Sequence, residues 1–147
     1  MCIKKPSRQM PARQRVLIVD DHPLVQRGLR VLIESEPDLM VCAAAATHRR
    51  GLEAIITSRP NLVIIDLSLG DSDGLALVKE IHSAHKELPV LVLTVHDTPG
   101  HIRRAFVAGA NGYVTKCELD ETLLTAIRCV LGGGKFVRLK GGEGKDP

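Results

Sequence analysis

The chain is poor in aromatic residues: 147 residues contain no tryptophan, one tyrosine (Tyr113) and two phenylalanines (Phe106 and Phe136). A basic surface interleaved with aromatics, on which bases could stack, is therefore absent, and nucleic-acid binding by this chain alone is not expected. No apolar run approaches the roughly 18 residues that a membrane span requires, so no membrane partner is expected either. The four cysteines (Cys2, Cys42, Cys117 and Cys129) show no C-x-x-C spacing and no histidine at zinc-ligand distance. That excludes the common zinc and dithiol motifs and leaves reduced thiols, with Cys42 and Cys129 packed as small hydrophobes. The first 15 residues lack any acidic group and carry five basic ones, Lys4, Lys5, Arg8, Arg13 and Arg15. Pro6 and Pro11 interrupt them and no apolar segment follows, so this is not a secretory signal, and the expected compartment is the cytoplasm. Residues 1–14 read as a solvated, flexible basic arm.

What is present has a globular balance, 44% hydrophobic and 25% charged, in a chain long enough for one domain with its own core. The net charge of +3 divides unevenly: residues 16–131 hold 11 basic against 15 acidic groups, so the folded part is acidic between basic ends. Short β-branched runs, VLIVD (16–20), LMVCAAA (39–45), LVIIDL (62–67), VLVLTV (90–95) and GYVTK (112–116), are five strand candidates. Each is followed by apolar residues at three- and four-residue spacing, as in Leu24, Gly28, Leu29 and Leu32, or Leu123, Leu124, Ile127 and Val130. Pro23 suits a first helical turn, Asp73 and Asp120 suit N-caps, and Gly132 to Gly134 end the last helix. Apolar continuity in the first, third and fourth runs requires burial on both faces, hence a parallel sheet covered by helices. The fold class is α/β, a (βα)5 doubly wound domain with right-handed crossovers. The ending GGGKFVRLKGGEGKDP is too rich in glycine and lysine to add to the core.

Acidic residues gather at strand ends. The stretch DLSLGDSDG, from Asp66 to Gly74, resembles a calcium loop in part, with Asp71, Asp73, Gly74 and Glu80 on its third, fifth, sixth and twelfth positions. Leu69 stands where the first ligand is needed and Leu77 at the ninth position, a poor oxygen cage. The partners of Asp66 lie elsewhere. Ligands of open parallel sheets bind beyond the carboxyl ends of the strands, and Asp20, Asp21, Asp66, Thr94 and Lys116 all end strands. Three carboxylates in one crevice repel unless a cation is present, and an oxygen-only set with room for water suits Mg²⁺. A carboxylate beside a divalent cation and a lysine is set up for in-line attack on a phosphoryl donor, giving an acyl phosphate. Asp73 reads as a helix cap and Asp71 as a solvated turn residue. His22, His96 and His101 read as exposed loop or helix-start residues, with His96 bordering the site, and His48, His82 and His85 as solvent-facing.

The constellation resembles the receiver domain of two-component response regulators, the CheY-like fold, over residues 15–137. It comprises an acidic pair (Asp20, Asp21), a phospho-acceptor (Asp66), a hydroxyl 28 residues on (Thr94), and an aromatic (Tyr113) just before a lysine 22 residues beyond Thr94 (Lys116). DDHPLVQRGL, LTVHD and GANGYVTK are similar to the NarL/FixJ subfamily, whose full-length members carry a C-terminal LuxR-type helix-turn-helix, absent here. The resemblance implies a flavodoxin-like sheet order of 2-1-3-4-5 and phosphoryl transfer from a sensor histidine kinase to Asp66. Mg²⁺ would be held directly by Asp21, Asp66 and the Ser68 backbone carbonyl, and by Asp20 largely through a water. Thr94 and Tyr113 would act as the switch, and Ser68 and His96 as positions that tune hydrolysis. A signalling domain that takes and loses its own phosphoryl group, not a turnover enzyme, is implied. Homodimerisation on phosphorylation, transcriptional output and contact with DNA only through a separate helix-turn-helix also follow from it, and residues 138–147 would be a flexible tail or the start of a linker. One departure is Gly70, where the family usually has proline. Glycine widens the backbone choices of that loop, which is expected to be more mobile than usual, and Asp71 adds negative charge beside it. Two alternatives compete. A degenerate pseudo-receiver would act only as an interaction module, against which the intact constellation argues. A haloacid-dehalogenase-like phosphatase would need a second aspartate where this chain has Ser68.

Overall fold

A computed structural model of the chain describes residues 12–69, 73–96, 98–116 and 120–137. Strands and helices alternate: β1 (Gln14–Val19), α1 (Pro23–Glu34), β2 (Leu39–Ala45), α2 (His48–Ser58), β3 (Leu62–Asp66), α3 (Gly74–Ala84), β4 (Val90–Thr94), α4 (Pro99–Ala108), β5 (Gly112–Thr115), α5 (Asp120–Leu131) and β6 (Phe136–Val137). All pair in parallel in one sheet, ordered β2-β1-β3-β4-β5-β6. Through β5 this is the expected order, with helices where the apolar spacing puts them. The sixth strand is a correction. Phe136 and Val137 pair with Gly112 and Tyr113, the Phe136 N–H donates to the Asn111 carbonyl at 3.0 Å, and both side chains are buried. Gly133 takes a φ of 94°, which lets the chain turn from α5 onto the sheet edge. The glycines that argued against core structure are what make this last crossover short. A second, smaller correction is that β1 begins at Gln14, within the segment read as the arm. Residues 1–11 and 138–147, like Gly70, Asp71 and Ser72 of the variant loop, lie outside the described residues.

Alternation along the strands sends successive side chains to opposite faces. Leu17, Val19, Val63, Ile65, Val90 and Val92 pack under α2, α3 and α4, whose Ile55, Leu77, Ile81 and Ile102 complete that layer. Val16, Ile18, Leu62, Ile64, Leu91 and Leu93 pack on the other side with Leu29 and Ile33 of α1 and Leu123 and Ile127 of α5. Each fully buried aliphatic side chain contributes about 1.5–3 kcal/mol of transfer free energy. Both faces are therefore core, which is why these strands read as unbroken apolar runs.

Capping follows the sequence in most places. Asp73 accepts the Leu75 N–H at 2.9 Å, and Thr47 accepts the Arg50 N–H at 3.1 Å. Asp120 is the first residue of α5. That helix is tied to the start of β2 by Arg128, which donates to Asp38 at 2.6 Å and to Glu36 at 2.7 Å. The hydrogen bond from Arg128 holds the Asp38 carboxyl below its ordinary value, and the same bond raises the Arg128 guanidinium. Cys42 and Cys129 are half-buried free thiols against the two layers. His48 is not solvent-facing: its Nε2 lies 3.0 Å from Glu80 on α3, with the ring largely covered. His85, at the end of α3, is half-buried.

Candidate functional site

Strand order reverses between β1 and β3, the usual ligand-binding point of such a sheet. Asp20 stands just beyond β1 and Asp66 ends β3, with only 1% and 2% of their surfaces exposed. Lys116, immediately after β5, reaches back across the strand ends and sets its Nζ 3.2 Å from Asp20 Oδ2 and 3.2 Å from Asp66 Oδ2. Withdrawing a carboxylate from water costs several kcal/mol unless it is compensated. Among the described residues, one lysine against Asp20, Asp21 and Asp66 leaves the pocket net negative.

Local hydrogen bonds fix these positions. The Asp20 N–H continues the ladder to the Ala45 carbonyl at 2.9 Å, and the Gln26 side chain donates to the Asp20 carbonyl. The His22 N–H donates to Asp20 Oδ1 at 2.9 Å, turning the chain at once into α1. On the other strand, Asp66 Oδ1 accepts the Ser68 N–H at 3.0 Å. The loop that follows is closed by Gly74, whose N–H meets the Leu67 carbonyl at 3.1 Å. A Cβ at position 74 would lie 2.5 Å from the Asp66 carbonyl oxygen, so only glycine allows α3 to start against the end of β3. Beyond the end of β3 a cavity of about 260 Å³ is lined by Leu67, Ser68, Asp73, His96, His101 and Arg104, among others.

Thr94 is fully buried at the end of β4, in register with Thr115 of β5. Its Oγ1 accepts the His96 N–H at 3.3 Å, and the His96 carbonyl accepts the Tyr113 hydroxyl at 2.7 Å. Tyr113 is itself fully buried. Hydroxyl and phenol are thus linked through the backbone of residue 96. The rings of His96 and His101 stack with centroids 4.6 Å apart.

The residue that sequence reasoning missed is His22. Its side chain is 58% exposed at the N-cap of α1, as expected, yet its Nδ1 lies 3.1 Å from both Asp20 Oδ1 and Asp21 Oδ1. One ligand atom from each of Asp20, Asp21, His22 and Asp66 falls within 4.8 Å of all the others. The available signal was DDHP itself, since a proline after the histidine starts the helix and leaves the ring beside the acids. The set fits a hard divalent cation: it is rich in oxygen, net negative, and includes a buried Asp20 oxygen that Lys116 approaches without hydrogen-bond alignment.

Residues 16–128 match the family model described as response regulator receiver domain. The chain belongs to that family. Receiver domains of the NarL/LuxR type are its near relatives in sequence: it is 35% identical over 123 residues to the transcriptional regulatory protein UhpA of Salmonella typhimurium, covering 83% of this chain and 61% of that one. With the nitrate/nitrite response regulator NarP of Escherichia coli the identity is 32%, over 82% of this chain and 56% of that one. The receiver therefore spans less than two thirds of these regulators. Among solved structures, a LuxR-family two-component response regulator from an Aurantimonas species superposes with a TM-score of 0.81 at 34% identity, covering 84% of this chain and 89% of that one. The isolated receiver of RcsB from Salmonella enterica, solved with the phosphomimetic BeF3⁻, gives a TM-score of 0.78 at 27% identity, covering 85% and 93%. No described helix of this receiver is long and apolar enough to cross a membrane.

Proposed function

We propose that this receiver accepts a phosphoryl group on Asp66 from the phosphohistidine of a sensor kinase. An Asp66 carboxylate oxygen forms the new O–P bond as the donor's N–P bond breaks, and the imidazole leaves with that electron pair and takes up a proton. The observation that carries this reading is a buried Asp66 carboxylate with Lys116 Nζ 3.2 Å away, inside a cluster with Asp20 and Asp21. Asp20, Asp21, Asp66 and the Ser68 carbonyl would hold Mg²⁺, which when bound supplies positive charge against the phosphoryl oxygens. Lys116 pairs with one phosphoryl oxygen, and the Thr94 hydroxyl donates to another. Phosphorylation would draw Thr94 inward and let Tyr113 rotate, the two being joined through the backbone of residue 96. That releases the face made by α4, β5 and α5, a two-state switch biased by a new anion. Ser68 and His96 border the acceptor and set how fast water removes the phosphoryl group.

The output is control of transcription through a longer protein, as the names of UhpA and NarP suggest. Dimers carry that output, as in the RcsB dimers solved on DNA, and DNA is met only through a further domain. The domain acts as a signalling module, not a turnover enzyme. Incubation with acetyl phosphate and Mg²⁺, read by intact mass, should add one phosphoryl group. Asp66→Asn should abolish the addition; a modification that persists in that variant, or none in the native chain, would remove Asp66 from the role.

A further inference from the structure

The carboxylates of the acidic pocket account for Mg²⁺ without help from nitrogen, so the imidazole of His22 is left over. Its Nδ1 stands 3.1 Å from one oxygen each of Asp20 and Asp21 and 4.0 Å from Asp66 Oδ2. The four donors share one small volume, all within 4.8 Å of one another. Its direction is set by the backbone: the His22 N–H is held by Asp20 Oδ1 at 2.9 Å, and Pro23 begins α1 directly after it. Asp20, nine-tenths and more buried, presents an Oδ2 that makes no aligned hydrogen bond, with Lys116 Nζ 3.2 Å away. Three carboxylates and one imidazole are not the donor set of a magnesium site alone. Mg²⁺ takes oxygen ligands and keeps water, whereas imidazole nitrogen favours the later first-row divalent ions.

We propose that the pocket is also a site for a borderline transition-metal cation of the Co²⁺, Ni²⁺ or Zn²⁺ class, with His22 Nδ1 as its nitrogen ligand beside Asp20, Asp21 and Asp66. The inference rests on the acidic pocket being a cation site, as the proposed function requires. Such a cation excludes Mg²⁺ from the same carboxylates. His22 thereby sets which metal the receiver prefers, while Mg²⁺ affinity does not depend on it.

The test uses the whole chain and bare metals. Isothermal titration with Co²⁺ and with Mg²⁺ compares the native protein with His22→Ser, a substitution that keeps a good N-cap and so spares α1. Co²⁺ binding should weaken by roughly tenfold or more in His22→Ser, with Mg²⁺ binding unchanged. Pulsed EPR of the Cu²⁺-loaded protein should show nitrogen modulation from one imidazole, lost in His22→Ser and retained in a His96→Ala/His101→Ala double variant. Nitrogen modulation that survives His22→Ser, or an equal loss of Co²⁺ and Mg²⁺ affinity, overturns the assignment of His22. Failure of native protein to bind Mg²⁺ overturns the cation site and, with it, the metal part of the proposed function. If Mg²⁺ binds and only the Co²⁺ preference ignores His22, this inference alone is lost.

Discussion

The two ends of the sheet solve the same problem with different chemistry. At the carboxyl ends of the strands, exposed backbone and turning chain are managed by charge: Asp20 and Asp66 are buried and share Lys116. At the opposite ends the work is done by neutral amides. Asn61 Oδ1 accepts the Arg15 N–H at 2.8 Å, and Asn111 Oδ1 accepts the Val90 N–H at 2.9 Å. Asn61, Asn111, Pro89, Lys86 and Leu131 help to line a cavity of about 300 Å³ there, where Glu87 is the one carboxylate among the lining residues. Amides satisfy backbone groups at little desolvation cost and do no chemistry. Carboxylates at the other end are costly, and that cost is consistent with a site kept for a cation and a phosphoryl group.

The largest way to break this contrast is Lys116→Met. It leaves two buried carboxylates without their cation and should cost up to about 3 kcal/mol in urea unfolding, because breaking one side of a buried pair strands its partners. Millimolar Mg²⁺ should restore much of that loss, whereas no substitution at the amide end should respond to Mg²⁺. Next is Gly74→Ala. The added Cβ meets backbone atoms of Asp66 and Leu67 at 2.5 and 2.6 Å, contacts that cannot yield cheaply, so about 2 kcal/mol of stability should be lost. If Asp66 accepts the phosphoryl group as proposed, phosphorylation by acetyl phosphate should slow with it, since the end of β3 must shift. Asn111→Ala sharpens the other side of the comparison: it leaves the buried Val90 N–H without its acceptor, a loss of about 1–2 kcal/mol by the same assay. Its phosphorylation rate should equal the native one. The smallest effect concerns Asp38, at the amide end beside the start of β2. Its carboxyl is held below the ordinary 3.8 by Arg128, so the stabilisation is complete above that pH and is lost as pH falls through the lowered value. In Asp38→Asn the stability curve should lose this acidic limb, lying slightly below the native one at neutral pH and converging with it in acid.

Much of this was legible in the sequence because it depends on periodicity. Unbroken apolar runs ending in Asp20, Asp66 and Thr94 imply buried parallel strands and place polar residues on one edge; the joint spacing to Lys116 then identifies the pocket. β6 was not legible, since a two-residue strand has no period and its neighbours are glycines and lysines. Its pairing comes from the sheet edge offered by β5. His22 escaped because one histidine at a helix start looks solvated, and only the turn held by Asp20 Oδ1 brings its ring to the acids. Gly74 reads from sequence as the residue after a cap, and its crowding against Asp66 is a fact of packing.

The link between Thr94 and Tyr113 passes through the N–H and the carbonyl of residue 96, never through its imidazole. A connection made of peptide atoms is indifferent to the side chain that hangs from it. Under the proposed switch, position 96 could be rewritten to lengthen or shorten the life of an acyl phosphate while the tyrosine still received the same message, so the duration of the signal and its transmission would be free to evolve separately at a single residue.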